Sequence, residues 1–219
     1  MAIKIKDLIY KIRYKVKDFN ELVYSDFDVL EAINECIRYL NQDKAMKNSD
    51  FLEKIQHYVQ EDMNAEVVAW NEEHPNEEPK PLYDFAVTGV EMPEDLIAMV
   101  DVMRLKDGYH LHPIPAVEQI NPHQCGQYKV INNRIYTNTD FDLLYRAEIA
   151  QIMLSDLSDD EAVVELPAVF TDLLSKVAVM ILTNTAENDV MAQEVSRVTD
   201  NLIAGRRYNN IKVRMPFKV

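Results

Sequence analysis

The sequence predicts an α+β fold: a helical bundle formed by N- and C-terminal helices, an inserted β-rich region with a hairpin-containing antiparallel sheet, and an extended C-terminal arm. Three observations predict it. Apolar residues recur every three or four positions over 1–71 and again over 150–205, the period of helices that bury one face. Between them, 85–149 breaks into short β-like runs separated by turn residues. Helices from opposite ends of the chain around one inserted sheet fit a single α+β unit better than two independent domains.

Ile5, Leu8, Ile9, Ile12, Val16 and Phe19 form the apolar stripe of a first helix, with lysines filling its other face. After a turn at Tyr24, Ser25 is placed to cap a second helix. Its hydroxyl can accept from a first-turn amide, and Asp26 and Asp28 suit the positive end of the dipole. Phe27, Leu30, Ile33, Ile37 and Leu40 supply the core stripe. Beyond Ser49, the spacing of Leu52, Ile55, Val59, Met63, Val67 and Trp70 predicts a third helix of about five turns. Three prolines and four acids within 72–81 cannot continue a helix or pair centrally in a sheet, so 72–84 reads as an acidic, solvated linker or excursion.

Strand-like runs follow at Phe85 to Val90, Ile97 to Leu105, Tyr128 to Ile131, Arg134 to Asn138 and Phe141 to Ile149. Asn132 and Asn133 connect the third and fourth as a two-residue turn, and Asn is the non-glycine residue that most readily takes the positive φ of a primed hairpin. Pro167 is placed as the first residue of a further helix with Val169, Phe170, Leu173, Leu174, Val177 and Ile181 on its face. A last helix past Asn188 carries Met191, Val195, Val198 and Leu202, and Gly205 is placed to close it. The arm over 206–219 has no helical period and, if extended, shows one apolar and one cationic face, as an arm that adds itself to another subunit would.

With 219 residues, 47% hydrophobic and 27% charged, the chain is neither disordered nor collagen-like. Its four glycines, at 89, 108, 126 and 205, form no phosphate-cradling loop, which removes the readable nucleotide-dependent classes. Net charge is −14, but residues 1–17 and 205–219 each carry +5, leaving −24 on the body. An acidic body argues against general affinity for nucleic acid or an anionic membrane. No apolar run reaches a span of about 18 residues, and the N-terminus has neither the apolar core nor the cleavage site of an export signal. Cys36 and Cys125 are isolated, which predicts no disulfide framework and a reducing compartment during synthesis.

Two constellations carry candidate chemistry. His110 and His112 with His123 and Cys125 offer four ligands of a tetrahedral zinc site if their segments meet, although exposed loop histidines explain them equally well. Asp156, Asp159, Asp160 and Glu161 could bind calcium or share a proton, but the cluster lacks the ligand order and the glycine of a calcium loop, which favours a solvated turn. No nucleophile elbow, HExxH helix or kinase signature occurs. No cofactor and no catalytic residue is expected.

The order of these pieces resembles the head-to-tail adaptor, or head-completion, proteins of tailed bacteriophages, in particular the portal adaptors of short-tailed phages. The resemblance rests on YSDFDVLEAINECIRYLN at 24–41, MPEDLIAMVDVMRL at 92–105, YKVINNRIYTN at 128–138 with FDLLYRAEI at 141–149, and ELPAVFTDLLSKVAVMIL at 165–182. It implies a buried Tyr145 and a ring of copies, a dodecamer, seated beneath the portal protein at the head–tail junction of the virion after assembly in the host cytoplasm. Such a ring extends the DNA channel, passes DNA without reading its sequence, touches no membrane and offers a platform for tail nozzle or tube proteins. The family's C-terminal segment engages the portal, which marks Arg206, Arg207, Tyr208, Lys212, Arg214 and Phe217 as portal contacts. The 72–81 stretch and the His/Cys pairs depart from the family's pattern. Other readings remain at this stage: a metal-dependent hydrolase using the His/Cys and Asp/Glu clusters, an acidic decoy for a basic host protein, or another tail-tube or stopper component.

Overall fold

A computed structural model describes residues 2–121, 123, 126–185 and 187–213, with 206–213 as backbone. In chain order the elements are β1 (Ala2–Lys4), α1 (Ile5–Val16), α2 (Asp26–Gln42), α3 (Lys44–Lys47), β2 (Glu53–Tyr58), α4 (Gln60–Glu73), β3 (Val90–Glu91), β4 (Leu96–Arg104), β5 (His112–Pro113), β6 (Gln127–Ile131), β7 (Arg134–Thr137), β8 (Phe141–Ala147), β9 (Val163–Pro167), α5 (Thr171–Leu182) and α6 (Asn188–Val213). The fold is α+β, as the two periodicities predict. The chain forms two units: Met1–Leu52 together with Glu148–Val219, and the continuous insert Glu53–Ala147. The expected inserted region, 85–149, therefore begins earlier, at β2.

In the first unit α5 packs against α1 and α2, and α6 packs against α2, α3 and α5. Leu8, Ile12, Ile33, Ile37, Leu40, Leu174 and Val177 fill the space between them, all but excluded from solvent. Ser25 caps α2 as expected. Its hydroxyl accepts from the Asp28 amide at 3.2 Å, and the Asp28 carboxylate accepts from the Ser25 amide at 2.8 Å, a reciprocal capping box. Phe19 and Phe27, placed in core stripes by spacing, are instead exposed. Pro167 ends a strand and is the N-cap of a single 3-10 turn, Ala168–Phe170, that runs into the helix, so it introduces the helix without being its first residue. Val164 and Leu166 point inward, alternating with Val163 and Glu165, and the segment pairs as a strand with β1 (Ile3 opposite Val164) before α5 begins at Thr171. Gly205 does not end the last helix, and 206–213 continue α6 instead of extending. Residues 214–219, with Arg214 and Phe217, lie outside the described residues.

In the second unit β2, β8 and β4 form one antiparallel sheet, and β3, β7, β6 and β5 another in which β5 and β6 run parallel. Tyr58, Val102, Phe141, Leu143 and Tyr145 from the first sheet share a core with Val90, Tyr128 and Ile135 from the second. Tyr58 stacks on Phe141 with ring centres 4.8 Å apart, and Phe85 meets the same ring edge-on. Burial pushes the Tyr58 hydroxyl up to about 12. The β6–β7 hairpin turns on Asn132 and Asn133 at φ 49° and 61°, the positive values a primed turn demands. The predicted third helix is wrong over its first turns. Residues 53–58 pair in register with 141–146 of β8, Glu53 opposite Arg146 through Tyr58 opposite Phe141, and Ile55, a core position by helical spacing, is exposed. Cross-strand pairing outweighs a weak helical period here. The run at Phe85 to Val90 is mostly a turn. The Asp84 side chain and carbonyl accept from the amides of residues 86–89, and Gly89 at φ +63° curls the chain before β3.

The acidic 72–84 stretch is exposed but held. Asn71 donates to the Lys80 carbonyl at 3.0 Å and accepts from the Lys80 amide at 2.8 Å. One register back, Asn64 makes the same pair of bonds with Tyr83, and Gln60 accepts from the Phe85 amide. The same device occurs in the first unit, where Asn34 pairs with both backbone groups of Ile152 and Asn41 with both of Ile149. Seven helical residues rise about 10.5 Å and three extended residues about 10 Å, so asparagines at i and i+7 on one helix face match every third residue of a strand-like segment running antiparallel to it.

Candidate interaction surfaces

The lysines of α1 do not form a free cationic face. Lys4 donates to Glu161 at 3.0 Å, Lys6 pairs with Asp160, Lys11 donates to Asp172 at 2.5 Å, and Lys15 donates to the Ser175 hydroxyl at 2.8 Å. Burial and the neighbouring Lys11 lower the Lys15 pKa, while pairing with Glu161 raises that of Lys4. The acidic cluster is the other half of the same arrangement. Asp160 and Glu161 answer Lys6 and Lys4, Asp156 accepts from the Met153 amide at 2.8 Å, and Asp159 accepts from the Glu161 amide at 2.9 Å. Asp160 and Glu161 thus tie 154–162 to the start of the chain, while Asp156 and Asp159 fix the turn itself.

The histidines are likewise engaged one by one. Leu111 is buried and holds His110 and His112 on the exposed side. His110 Nδ1 contacts the Asp101 carboxylate, and His112 Nε2 contacts the Tyr109 hydroxyl at 3.0 Å. His123 lies in an exposed turn, its amide donating to the Asn121 side chain, and Cys125 falls outside the described residues. Among the described residues no group of three or more His, Cys, Asp or Glu side chains is arranged to hold a metal ion. Cys36 is buried in the helical core, which raises its thiol pKa and keeps it out of reach. No helix among the described residues is long and apolar enough to cross a membrane.

The feature that sequence spacing misses is the corner between α1 and α2. Arg13 and Asp18 are both buried and paired at 3.5 Å. The Asp18 carboxylate accepts from the amides of Leu22 (2.9 Å), Val23 (3.2 Å) and Tyr24 (2.8 Å), and Arg13 donates to the Tyr24 carbonyl at 3.0 Å and to Asp26 at 2.6 Å. The Tyr24 amide above all, with those of Leu22 and Val23 and the Arg13 guanidinium, holds the Asp18 carboxyl below its ordinary range against the opposing effect of burial. A satisfied polar network thus fixes a loop whose apolar side chains face outward: Phe19 is 54% exposed, Leu22 82%, Val23 70% and the nearby Phe27 60%. Tyr10 and Tyr14 on α1 are exposed as well, and the Tyr14 and Phe19 rings meet edge-on at 5.8 Å. A run of exposed apolar side chains on a hydrogen-bonded loop makes this corner a candidate interaction surface. The loop's DFNELVY could have flagged it only through Asp18, because Leu22, Val23 and Phe27 look like core residues.

No protein-family model matches the chain, and no curated protein matches it in sequence. The expected portal contacts divide by position. Arg206, Arg207, Tyr208 and Lys212 lie on the last turns of α6, whereas Arg214 and Phe217 lie outside the described residues.

Proposed function

We propose that the chain is a structural assembly subunit, a head-to-tail adaptor that binds a phage portal as a ring, extends the DNA channel and carries tail proteins. The reading assigns no catalytic residue, metal or cofactor. The observation that carries it is the distribution of positive charge. Lys4, Lys6 and Lys11 are paired with the chain's own carboxylates, while 206–219 hold five Lys/Arg and no acid, entering on α6 beyond Thr199, the last buried position among its described side chains. A cationic terminal segment on a helix suits docking onto an acidic ring. The −24 body suits a channel wall along which DNA slides, since phosphate contacts need cations and acids outnumber them here by 24. The place of assembly and action that follows is the host cytoplasm and then the virion's head–tail junction.

The test is native mass spectrometry of the full chain with portal rings from the same genome, alongside Arg206→Glu/Arg207→Glu/Lys212→Glu. Loading in a number that matches the portal's symmetry, lost in the charge-reversed chain, is the expected result. A wild-type chain that leaves the portal mass unchanged sinks the reading.

A further inference from the structure

We propose that Lys15 is an acylation site, a lysine whose amine takes an acyl group from an anionic acyl phosphate. Lys4, Lys6 and Lys11 donate to carboxylates. Lys15 instead donates at 2.8 Å to the hydroxyl of Ser175 on α5, a neutral acceptor fully withdrawn from solvent. Asp172, one turn before Ser175, is engaged by Lys11, and Glu194 is engaged by Lys176 at 2.7 Å and by Arg197 at 2.8 Å. The Ser175 hydroxyl donates its single proton to the Asp172 carbonyl at 3.1 Å, so toward Lys15 its oxygen can only accept. The Lys15 amine is therefore held through an N–H, which leaves the nitrogen lone pair of the free base for a reagent, and the residue is exposed.

The surroundings favour that free base. Partial burial above all, then the positive charges of Lys11 and Lys176, lower the Lys15 pKa, and Asp172 opposes them without cancelling the effect. Only the uncharged amine attacks an acyl carbon, and a partly desolvated lysine beside other cations supplies it at neutral pH. The same cations select the reagent. Even with Lys15 uncharged, Lys11, Lys176 and Arg197 outnumber Asp172 and Glu194, which favours approach of an acyl phosphate over that of a neutral ester. In the reaction the Nζ lone pair bonds to the acyl carbon and the bond from that carbon to the phosphate oxygen breaks. Inorganic phosphate leaves with the bonding pair and takes up the proton that the amine loses. The product amide keeps one N–H for Ser175, so acylation removes a positive charge from α1 while leaving its contact with α5 a donor. The site rests on no part of the adaptor reading.

The full chain is treated at mildly alkaline pH with acetyl phosphate and, in parallel, with the neutral N-hydroxysuccinimide ester of acetic acid, and acetylation of each lysine is followed by peptide mass spectrometry. Lys17 is the reference, because it is exposed and its side chain has no hydrogen bond or ion pair among the described residues. Acetyl phosphate should modify Lys15 at least about threefold faster than Lys17, and by a larger ratio than the neutral ester gives. A ratio near one overturns the site, and a ratio no larger than that of the neutral ester overturns the choice of an anionic donor. Lys11→Gln removes a neighbouring cation and releases Asp172 to pair with Lys15, so the Lys15 rate should fall toward that of Lys17 while Lys17 is unchanged. A Lys15 rate that holds in this surface variant contradicts the account. Ser175→Ala frees the amine to leave for solvent and should act in the same direction. In both variants the Lys15 titration, followed by NMR at its Cε, should move up, a readout that loss of packing alone does not produce. A rate that falls in Ser175→Ala without a change in the titration overturns the role given to Ser175.

Discussion

Asp18 shows how one buried carboxylate shapes a surface. Its hydrogen bonds to three consecutive amides turn the chain between α1 and α2, and Arg13 supplies the opposite charge. Because its folded pKa is depressed, the stabilisation is full above the unfolded value, about 4, and is lost as pH falls through the folded one. Asp18→Asn should therefore melt below the wild type at neutral pH, with the gap closing as the pH drops below about 4, since protonation makes the wild-type side chain resemble the amide. Calorimetry across that range checks it, and a gap that stays constant to about pH 2 contradicts it. Gly89 is a second case. A Cβ there would lie 2.9 Å from the Tyr136 ring and 3.1 Å from the Ile135 carbonyl, on a backbone at φ +63°. Gly89→Ala should cost about 1–3 kcal/mol in urea denaturation, from left-handed strain and the crowded carbonyl together.

At the scale of elements, side-chain amides hold extended segments against helices in both units. Asn34 is buried, so Asn34→Ala leaves the amide and carbonyl of Ile152 without partners and should cost roughly 2–4 kcal/mol. Asn71 is exposed, water can replace its bonds to Lys80, and Asn71→Ala should cost about 1 kcal/mol or less. Equal losses in equilibrium denaturation would contradict this account. The seven-residue spacing of Asn34 and Asn41, and of Asn64 and Asn71, is visible in the sequence, but the partners 80, 83, 149 and 152 are not, because they depend on where a distant segment returns. The same limit explains the error over 53–58 and the strand over 163–167 that spacing does not predict. Both segments become strands because β8 and β1 lie beside them, and neither partner is local. Local signals fared better. Ser25 and Asp28 announce their capping box, and Asn132 and Asn133 announce their turn, because in each case all the interacting atoms lie within a few residues. The corner was illegible for a further reason: apolar spacing reports which residues share a face and says nothing about whether that face is covered.

At the scale of the whole chain, the insert begins and ends at one place. Glu53 lies opposite Arg146 across β2 and β8, and Arg146 donates to Glu53 at 3.5 Å, so the two ends of Glu53–Ala147 are neighbours within a single sheet. A segment with adjacent ends can enter another fold without distorting it. Its aromatic core is also self-contained, since Tyr58, Phe85, Phe141 and Tyr145 pack against residues of the insert itself. Expressed alone, 53–147 should therefore fold, with a β-type circular dichroism spectrum, dispersed amide resonances and a cooperative melt. The exposed face of its three-stranded sheet carries His57 beside Asp142 and His110 beside Asp101 and contributes little to that core, so His57→Ala and His110→Ala should leave the melt within about 0.5 kcal/mol of the parent. If the isolated insert is unfolded, its stability comes from the chain around it, and unfolding of the full protein should then be a single transition. If it folds, calorimetry of the full chain should resolve two transitions, one at the temperature of the insert alone, because a core that closes on itself needs no other support to melt as a unit.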